Sequence, residues 1–332
     1  MFSSWRRRAT AGLSIVVAAA GVVASAMPAE AARRPRTDSL EYRKSWGLEA
    51  IGAQAAYRAG LSGRGVTLAL IDCGVEAAQR EVRRNVKTSR DVVAGRATPA
   101  VEKHGAYVAG PLVSALNGGG MVGVAYNANV VSIRADFDGG LAGECAFRPT
   151  DLAAALDEAV AQKARIVVMP LQGRKPLGAA FEAALERTVK SGAVLVIAAG
   201  NRKGEEPTWP ARYAADPRFA GSIVVAGASS YYGELTPWSN RAGAAKWRYV
   251  AAPGEWVLTD CTRKCKLVSG TSFSTAYVAG ALALMMEGHP ELTGPQVAER
   301  VLSAARDLGE PGADAVYGRG VLDLGRAFAA AD

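Results

Sequence analysis

Val66-Thr67-Leu68-Ala69-Leu70-Ile71-Asp72-Cys73-Gly74 decides how the chain is read. Six β-branched or aliphatic residues in a row are too few for a helix of ordinary length and too apolar for a half-exposed strand. They predict a strand buried on both faces that ends at Asp72. Similar runs recur at Val130–Ile133, Arg165–Met169, Ala193–Ala198 and Ile223–Val225. Between and after them the apolar spacing turns helical: His104–Leu116, Thr150–Gln162, Gly178–Lys190, Ser272–Glu287 and Thr293–Ala305. Strands alternating with helices predict parallel strands joined by crossover helices. The fold class expected is α/β, a mainly parallel central sheet with helices on both faces, formed by one domain over residues 32–332.

Residues 1–31 differ in kind from the rest. Arg6, Arg7 and Arg8 precede an apolar run from Ala11 to Met27, and Ala29-Glu30-Ala31 has the small-x-small form of a cleavage site. A signal peptide removed after residue 31 is expected, with the remainder secreted or held outside the cytoplasm and no membrane association after cleavage. No later apolar stretch is long enough to span a bilayer.

The formal net charge is +8, and the part beyond residue 31 keeps +6. Its basic residues are scattered apart from Arg33-Arg34-Pro35-Arg36, and no basic–aromatic motif accompanies them, so no nucleic-acid partner is expected. Export permits disulfides, and Cys73, Cys145, Cys261 and Cys265 allow three pairings. Cys261 and Cys265 are close enough to clip a hairpin, which would leave Cys73 with Cys145. The rival reading of Cys261 and Cys265 as metal ligands lacks a nearby histidine, and no metal site is expected.

Chemistry concentrates in four places. Asp72 ends a strand. His104 opens the apolar segment His104-Gly105-Ala106-Tyr107-Val108-Ala109-Gly110. Asn201 follows the buried run that ends in Ala198-Ala199-Gly200. Ser272 sits in Gly270-Thr271-Ser272-Phe273-Ser274, at the start of a second apolar helix. Each alone has a structural explanation: a turn former, a helix-end residue, an N-cap. Together they supply what acyl transfer by serine needs, namely a nucleophile, a base to take its proton, an acid to orient the base and an amide for the developing oxyanion. The only other histidine, His289, lies in the turn Gly288-His289-Pro290.

In that order and spacing the four elements resemble the subtilisin family. Asp72-Cys73-Gly74 is similar to its Asp-Ser/Thr-Gly, His104–Gly110 to its His-Gly-Thr-His-Val-Ala-Gly, Ala198–Asn201 to its Ala-Ala-Gly-Asn, and Gly270–Ser272 to its Gly-Thr-Ser. The likeness runs from about Trp46 to Phe328. Ile51–Tyr57, Gly120–Tyr126 and Val316–Gly320 look most like the protease domains of subtilisin-type autotransporters. The chain ends at Asp332, so an exported peptidase without a translocator barrel is expected, and no folding pro-domain is recognisable.

The resemblance implies a secreted serine endopeptidase acting on proteins or peptides as a monomer. Asp72, His104 and Ser272 would be catalytic, Asn201 would bind the oxyanion, and Leu171, Gln172, Gly173 and Gly200 would contact substrate. The alternative is a secreted binding protein on a decayed protease fold. Departures from the pattern bear on that choice. Ala106-Tyr107 replaces Thr-His, Ala276-Tyr277 replaces Pro-His, and Pro170-Leu171-Gln172-Gly173 replaces Ser-Leu-Gly-Gly. Tyr107 and Tyr277, at matching places after His104 and Ser272, are expected to face each other. The loop Leu116–Val122 carries Gly118-Gly119-Gly120 where the family's calcium loop offers oxygens, so no cofactor is expected and calcium is not indicated there.

Overall fold

The computed structural model describes Met1 and residues 34–75, 79–96, 103–137, 145–219, 221–261 and 264–329. The expected signal peptide falls outside the described residues, Met1 excepted. Among the described residues, no helix is long and apolar enough to cross a membrane.

The quoted run becomes β1 (Thr67–Asp72). The other strands of the sheet are β2 (Val86–Asp91), β3 (Asn129–Arg134), β4 (Ile166–Met169), β5 (Val194–Ala198), β6 (Ile223–Ser229) and β7 (Tyr249–Pro253). They lie in the order β2-β3-β1-β4-β5-β6-β7, and every pairing is parallel. The order turns at β1: the chain builds outward to β2 and β3 on one side, then crosses to β4 on the other. Sites in such sheets form beyond the carboxyl ends of strands at this kind of reversal.

Period two explains why these strands read as unbroken apolar runs. Leu68 and Leu70 face one core layer, and Ala69 and Ile71 the other. Ile166 and Val168 oppose Val167 and Met169 in the same way. Both faces are covered, so neither can be polar. The first face packs against α4 (His104–Val113), α7 (Thr271–Gly288) and α8 (Gly294–Ser303), with α3 (Gln54–Arg58) and α9 (Leu324–Ala329) beyond. The second packs against α5 (Pro149–Ala161) and α6 (Ala179–Lys190). Every residue of α7 from Thr271 to Met286 is buried, as an all-round apolar helix must be. Two short helices, α1 (Leu40–Lys44) and α2 (Trp46–Ala50), precede this arrangement.

The predicted helices appear with small shifts at their ends. The segment beginning at His104 stops at Val113 instead of Leu116. Pro111 lies inside that helix and has no N–H for the carbonyl of Tyr107. The Thr259 hydroxyl donates to that carbonyl instead, at 2.7 Å. Thr259 belongs to an antiparallel hairpin, β8 (Val257–Thr259) and β9 (Lys266–Val268), so the missing helical bond ties the hairpin to α4. The Cys261–Cys265 disulfide closes the hairpin, and Cys73–Cys145 is the second bond.

Tyr107 and Tyr277 do not face each other. The Tyr107 hydroxyl accepts from Lys266 Nζ at 2.6 Å, and the ammonium lies 4.9 Å from the ring centre. Tyr277 is buried against Gly47, where an added Cβ would lie 2.4 Å from its ring. The two rings start at matching helical positions but are claimed by different neighbours, the hairpin for one and α2 for the other.

Candidate active site

Asp72 ends β1 with its side chain only 1% exposed. A buried carboxylate needs partners, and it has them. Its Oδ1 accepts the Cys73 N–H at 2.7 Å, and its oxygens lie 3.0 and 2.8 Å from His104 Nδ1. Gly105 makes this approach feasible. A Cβ there would lie 2.4 Å from the Gly74 carbonyl oxygen and 3.2 Å from Asp72 Cβ, so only glycine lets the first turn of α4 rest on the end of β1. The Asp72 carboxylate fixes Nδ1 as the protonated ring nitrogen and leaves the Nε2 lone pair for the cleft. Burial works against a charged imidazole here, but the Asp72 charge and hydrogen bond outweigh it and hold His104 above the ordinary histidine value.

Ser272 lies in the first turn of α7, where the helix has no acceptor for its backbone N–H. Its Oγ donates to the Pro170 carbonyl at 2.9 Å, not to His104. Pro170 directly follows β4. The two side chains line one cavity of about 350 Å³, together with Cys145, Phe147, Pro170, Leu171, Gln172, Asn201 and Arg202. In the absence of substrate, hydrogen bonds between a nucleophile and its base are often long or poorly aligned.

Asn201 follows β5 and is locked in one orientation. Its Oδ1 accepts both the N–H and the hydroxyl of Thr271, at 2.9 and 2.8 Å. Thr271 Oγ1 in turn accepts the Gly200 N–H at 3.1 Å. The amide oxygen is thus consumed by α7, and the NH₂ group is left to donate beside Ser272.

All the residues singled out from sequence therefore meet at one end of the sheet. Leu171 and Gln172 line the cavity itself and Asp72 stands behind His104, whereas Gly173 and Gly200 do not line it and adjoin it only as chain neighbours of Gln172 and Asn201. Sequence reasoning missed Cys145, Phe147 and Arg202 as cavity residues. Only Cys145 carried a signal, since its bond to Cys73 places it beside Asp72. His289 lies elsewhere, 3.2 Å from Glu291.

Two places bear on metals. Donor atoms of Asp72, Cys73, His104 and Cys145 lie within 4.8 Å of one another, but the two sulfurs are bonded to each other and are not thiolate ligands. Near Gly118–Gly120 two buried carboxylates converge, Glu41 accepting the Gly118 N–H at 3.0 Å and Glu81 accepting the Asn117 amide at 3.4 Å. The loop thus turns donors toward these acids. Burial raises the pKa of both, and the charge of Glu41 raises Glu81 further.

Comparison with known proteins fits this geometry. A profile described as the Subtilase family matches residues 63–320. The chain is 28% identical over 291 residues to the thermostable alkaline protease of Halalkalibacterium halodurans, covering 85% of this chain and 73% of that one. It is 28% identical over 294 residues to subtilisin E of Bacillus subtilis, covering 86% and 71%. Against subtilisin of Bacillus pumilus the figures are 27% over 287 residues, covering 84% and 96%.

Proposed function

The chain belongs to the subtilase family and is a serine-type endopeptidase, and from that premise we propose that Asp72, His104 and Ser272 act as its catalytic unit after export from the cell. The observation that carries the assignment is the carboxylate–imidazole pair: a buried Asp72 at 2.8 Å from Nδ1 of a histidine that lines the same cavity as Ser272.

In the reaction, Ser272 Oγ leaves the Pro170 carbonyl, turns to His104 Nε2 and attacks the scissile carbonyl carbon as the imidazole takes its proton. Asp72 holds the ring in the required tautomer and stabilises the imidazolium. The carbonyl oxygen, now negative, receives the Asn201 Nδ2–H and the Ser272 backbone N–H. His104 then protonates the departing amine, leaving an acyl group on Ser272. Water, activated by the same histidine, releases it. The Pro170 carbonyl, freed when the serine turns, accepts a backbone N–H of the bound peptide. Leu171, Gln172, Gly173 and Gly200 form the walls on either side.

Secretion rests on the Arg6–Arg8, Ala11–Met27 and Ala29–Ala31 pattern. One relative, the minor extracellular protease Epr of Bacillus subtilis, is extracellular by name. Incubating purified protein with an unfolded protein substrate tests the function. New peptide termini should accumulate with wild type and be absent with Ser272→Ala. Equal cleavage by both would remove Ser272 from the reaction. N-terminal sequencing of exported protein should find a start at Ala32.

A further inference from the structure

The cleft has two walls, Leu171–Gly173 and Ala199–Asn201, and one side chain crosses between them. Gln172 Oε1 accepts the Asn201 N–H at 3.0 Å. The same walls are tied from below. The Thr208 N–H and hydroxyl both donate to the Ala199 carbonyl, at 2.8 and 3.2 Å, and Trp209 exchanges both backbone bonds with Gly173, at 2.6 and 3.1 Å. Gly200 lies between, with φ of +110°. A Cβ built on it would lie 2.6 Å from Thr208 Cγ2 and 3.3 Å from Gln172 Oε1. The space over Gly200 is thus bounded by Thr208 on one side and by Gln172 on the other.

Substrate geometry directs a side chain into that space, on the reading of the site given above. The residue that supplies the scissile carbonyl is held twice: its carbonyl oxygen at Asn201 Nδ2, and its N–H at the Pro170 carbonyl. Those two anchors stand on opposite walls. With both occupied, the remaining bulky substituent of its Cα points between the walls, toward Gln172 and Gly200. We propose that Gln172 is a plug that makes the enzyme select peptide bonds whose carbonyl comes from glycine or alanine.

A hydrogen or methyl group fits beneath the Gln172–Asn201 bridge. A leucine or phenylalanine must first displace Gln172, which frees the Asn201 N–H and spends one hydrogen bond. Because Gln172 is solvent-exposed and held by this one bond, the contrast is moderate, about tenfold in kcat/KM, the effect of losing one neutral hydrogen bond. Arg202 borders both this cavity and a neighbouring one of about 550 Å³, which Gly173 and Thr208 also line.

The test is a set of fluorogenic peptides that differ only in the residue before the scissile bond (glycine, alanine, leucine or phenylalanine), assayed with wild type, Gln172→Gly and Gln172→Ala. Wild type should favour glycine and alanine about tenfold or more. Both variants should raise kcat/KM for leucine and phenylalanine relative to alanine by about tenfold. A wild type that prefers the large residues, or variants with an unchanged ratio, would overturn the plug. A wild type that cleaves none of the peptides and does not react with a fluorophosphonate at Ser272 would instead overturn the peptidase reading of the site, and the plug with it.

Discussion

Asn201 and Thr271 are joined by two hydrogen bonds to one atom: Asn201 Oδ1 accepts the Thr271 N–H at 2.9 Å and its hydroxyl at 2.8 Å. The pair settles which way the amide points. With the oxygen consumed, the NH₂ group is left to donate, and on the proposed reading it is preset for the carbonyl oxygen that becomes negative, with no reorganisation needed during the reaction.

Asn201→Ala should therefore lower kcat by about 10²–10³ with little change in KM; that range for one lost oxyanion donor itself comes from a subtilisin. Thr271→Val removes the hydroxyl but keeps the N–H, so it should cost less. Steady-state kinetics of both variants check this. An effect of Asn201→Ala confined to KM would make it a substrate-positioning residue.

If His104 is the base and Asp72 its partner, as proposed, the two set the pH dependence. The base must be neutral to accept a proton, so kcat/KM should rise with pH through the His104 pKa, which lies above the ordinary 6.5. In Asp72→Asn the charge that raises this value is gone while burial still lowers it. The acid limb should move to lower pH even as kcat falls by about 10⁴, the loss seen when a triad acid is replaced by its amide. A pH–rate profile with an unmoved limb would mean that His104 is not the titrating group. The stability link has a definite sign. A raised folded-state pKa makes the Asp72–His104 pair stabilising below the unfolded histidine value, and that contribution is lost as pH rises through the folded one.

Much of the fold was legible because burial on both faces leaves unbroken apolar runs, as at Leu68–Ile71 and Val194–Ala198. β2 was not legible. It is an edge strand with the sequence Val86-Lys87-Thr88-Ser89-Arg90-Asp91, mostly half-exposed or exposed, and it carries no apolar pattern. β7, Tyr249-Val250-Ala251-Ala252-Pro253, is as long as β5 but carries alanines and a proline where β5 carries β-branched residues, and the three-residue strands of the β8–β9 hairpin were too short to register. At the site, the residue types and their order could be read from sequence, but rotamers could not. Ser272 turns to Pro170, Gln172 reaches Asn201, and Tyr107 and Tyr277 part company because Lys266 and Gly47 draw them to different places. Those outcomes depend on neighbours 29 to 230 positions away in sequence, which no local pattern encodes.

The Cys73–Cys145 bond joins the residue after Asp72 to a wall of the catalytic cavity. Replacing both cysteines by alanine should lower Tm and weaken activity, since a bond closing a loop of this length is typically worth about 2–4 kcal/mol. The Cys261–Cys265 bond closes only a short loop, so replacing those two cysteines should cost less. Melting curves and kcat/KM for the two double variants test the ranking. Equal effects would mean that proximity to Asp72 confers nothing.

Glu41 and Glu81 are buried carboxylates with raised pKa values. Acids raised in the folded state favour folding below their unfolded pKa, and this benefit is lost as pH climbs through the folded value. At neutral pH Glu81→Gln should therefore raise Tm. Melts with and without a chelator should agree, as the glycine-rich loop implies. A large fall in Tm on chelation, or on Glu81→Gln, would show that a bound cation holds the two acids together.

The central claim is that Ser272 and His104 work as one nucleophilic unit. Ser272→Ala and His104→Ala should each abolish turnover, and the double variant should be little worse, because neither residue functions without the other. The most direct measurement is labelling of the native protein with a fluorophosphonate, followed by mass spectrometry of the modified peptide. The account predicts one phosphonyl group, on Ser272, formed rapidly in wild type and very slowly in His104→Ala. No adduct on folded wild type, or labelling at Ser272 that proceeds as fast without His104, would contradict it.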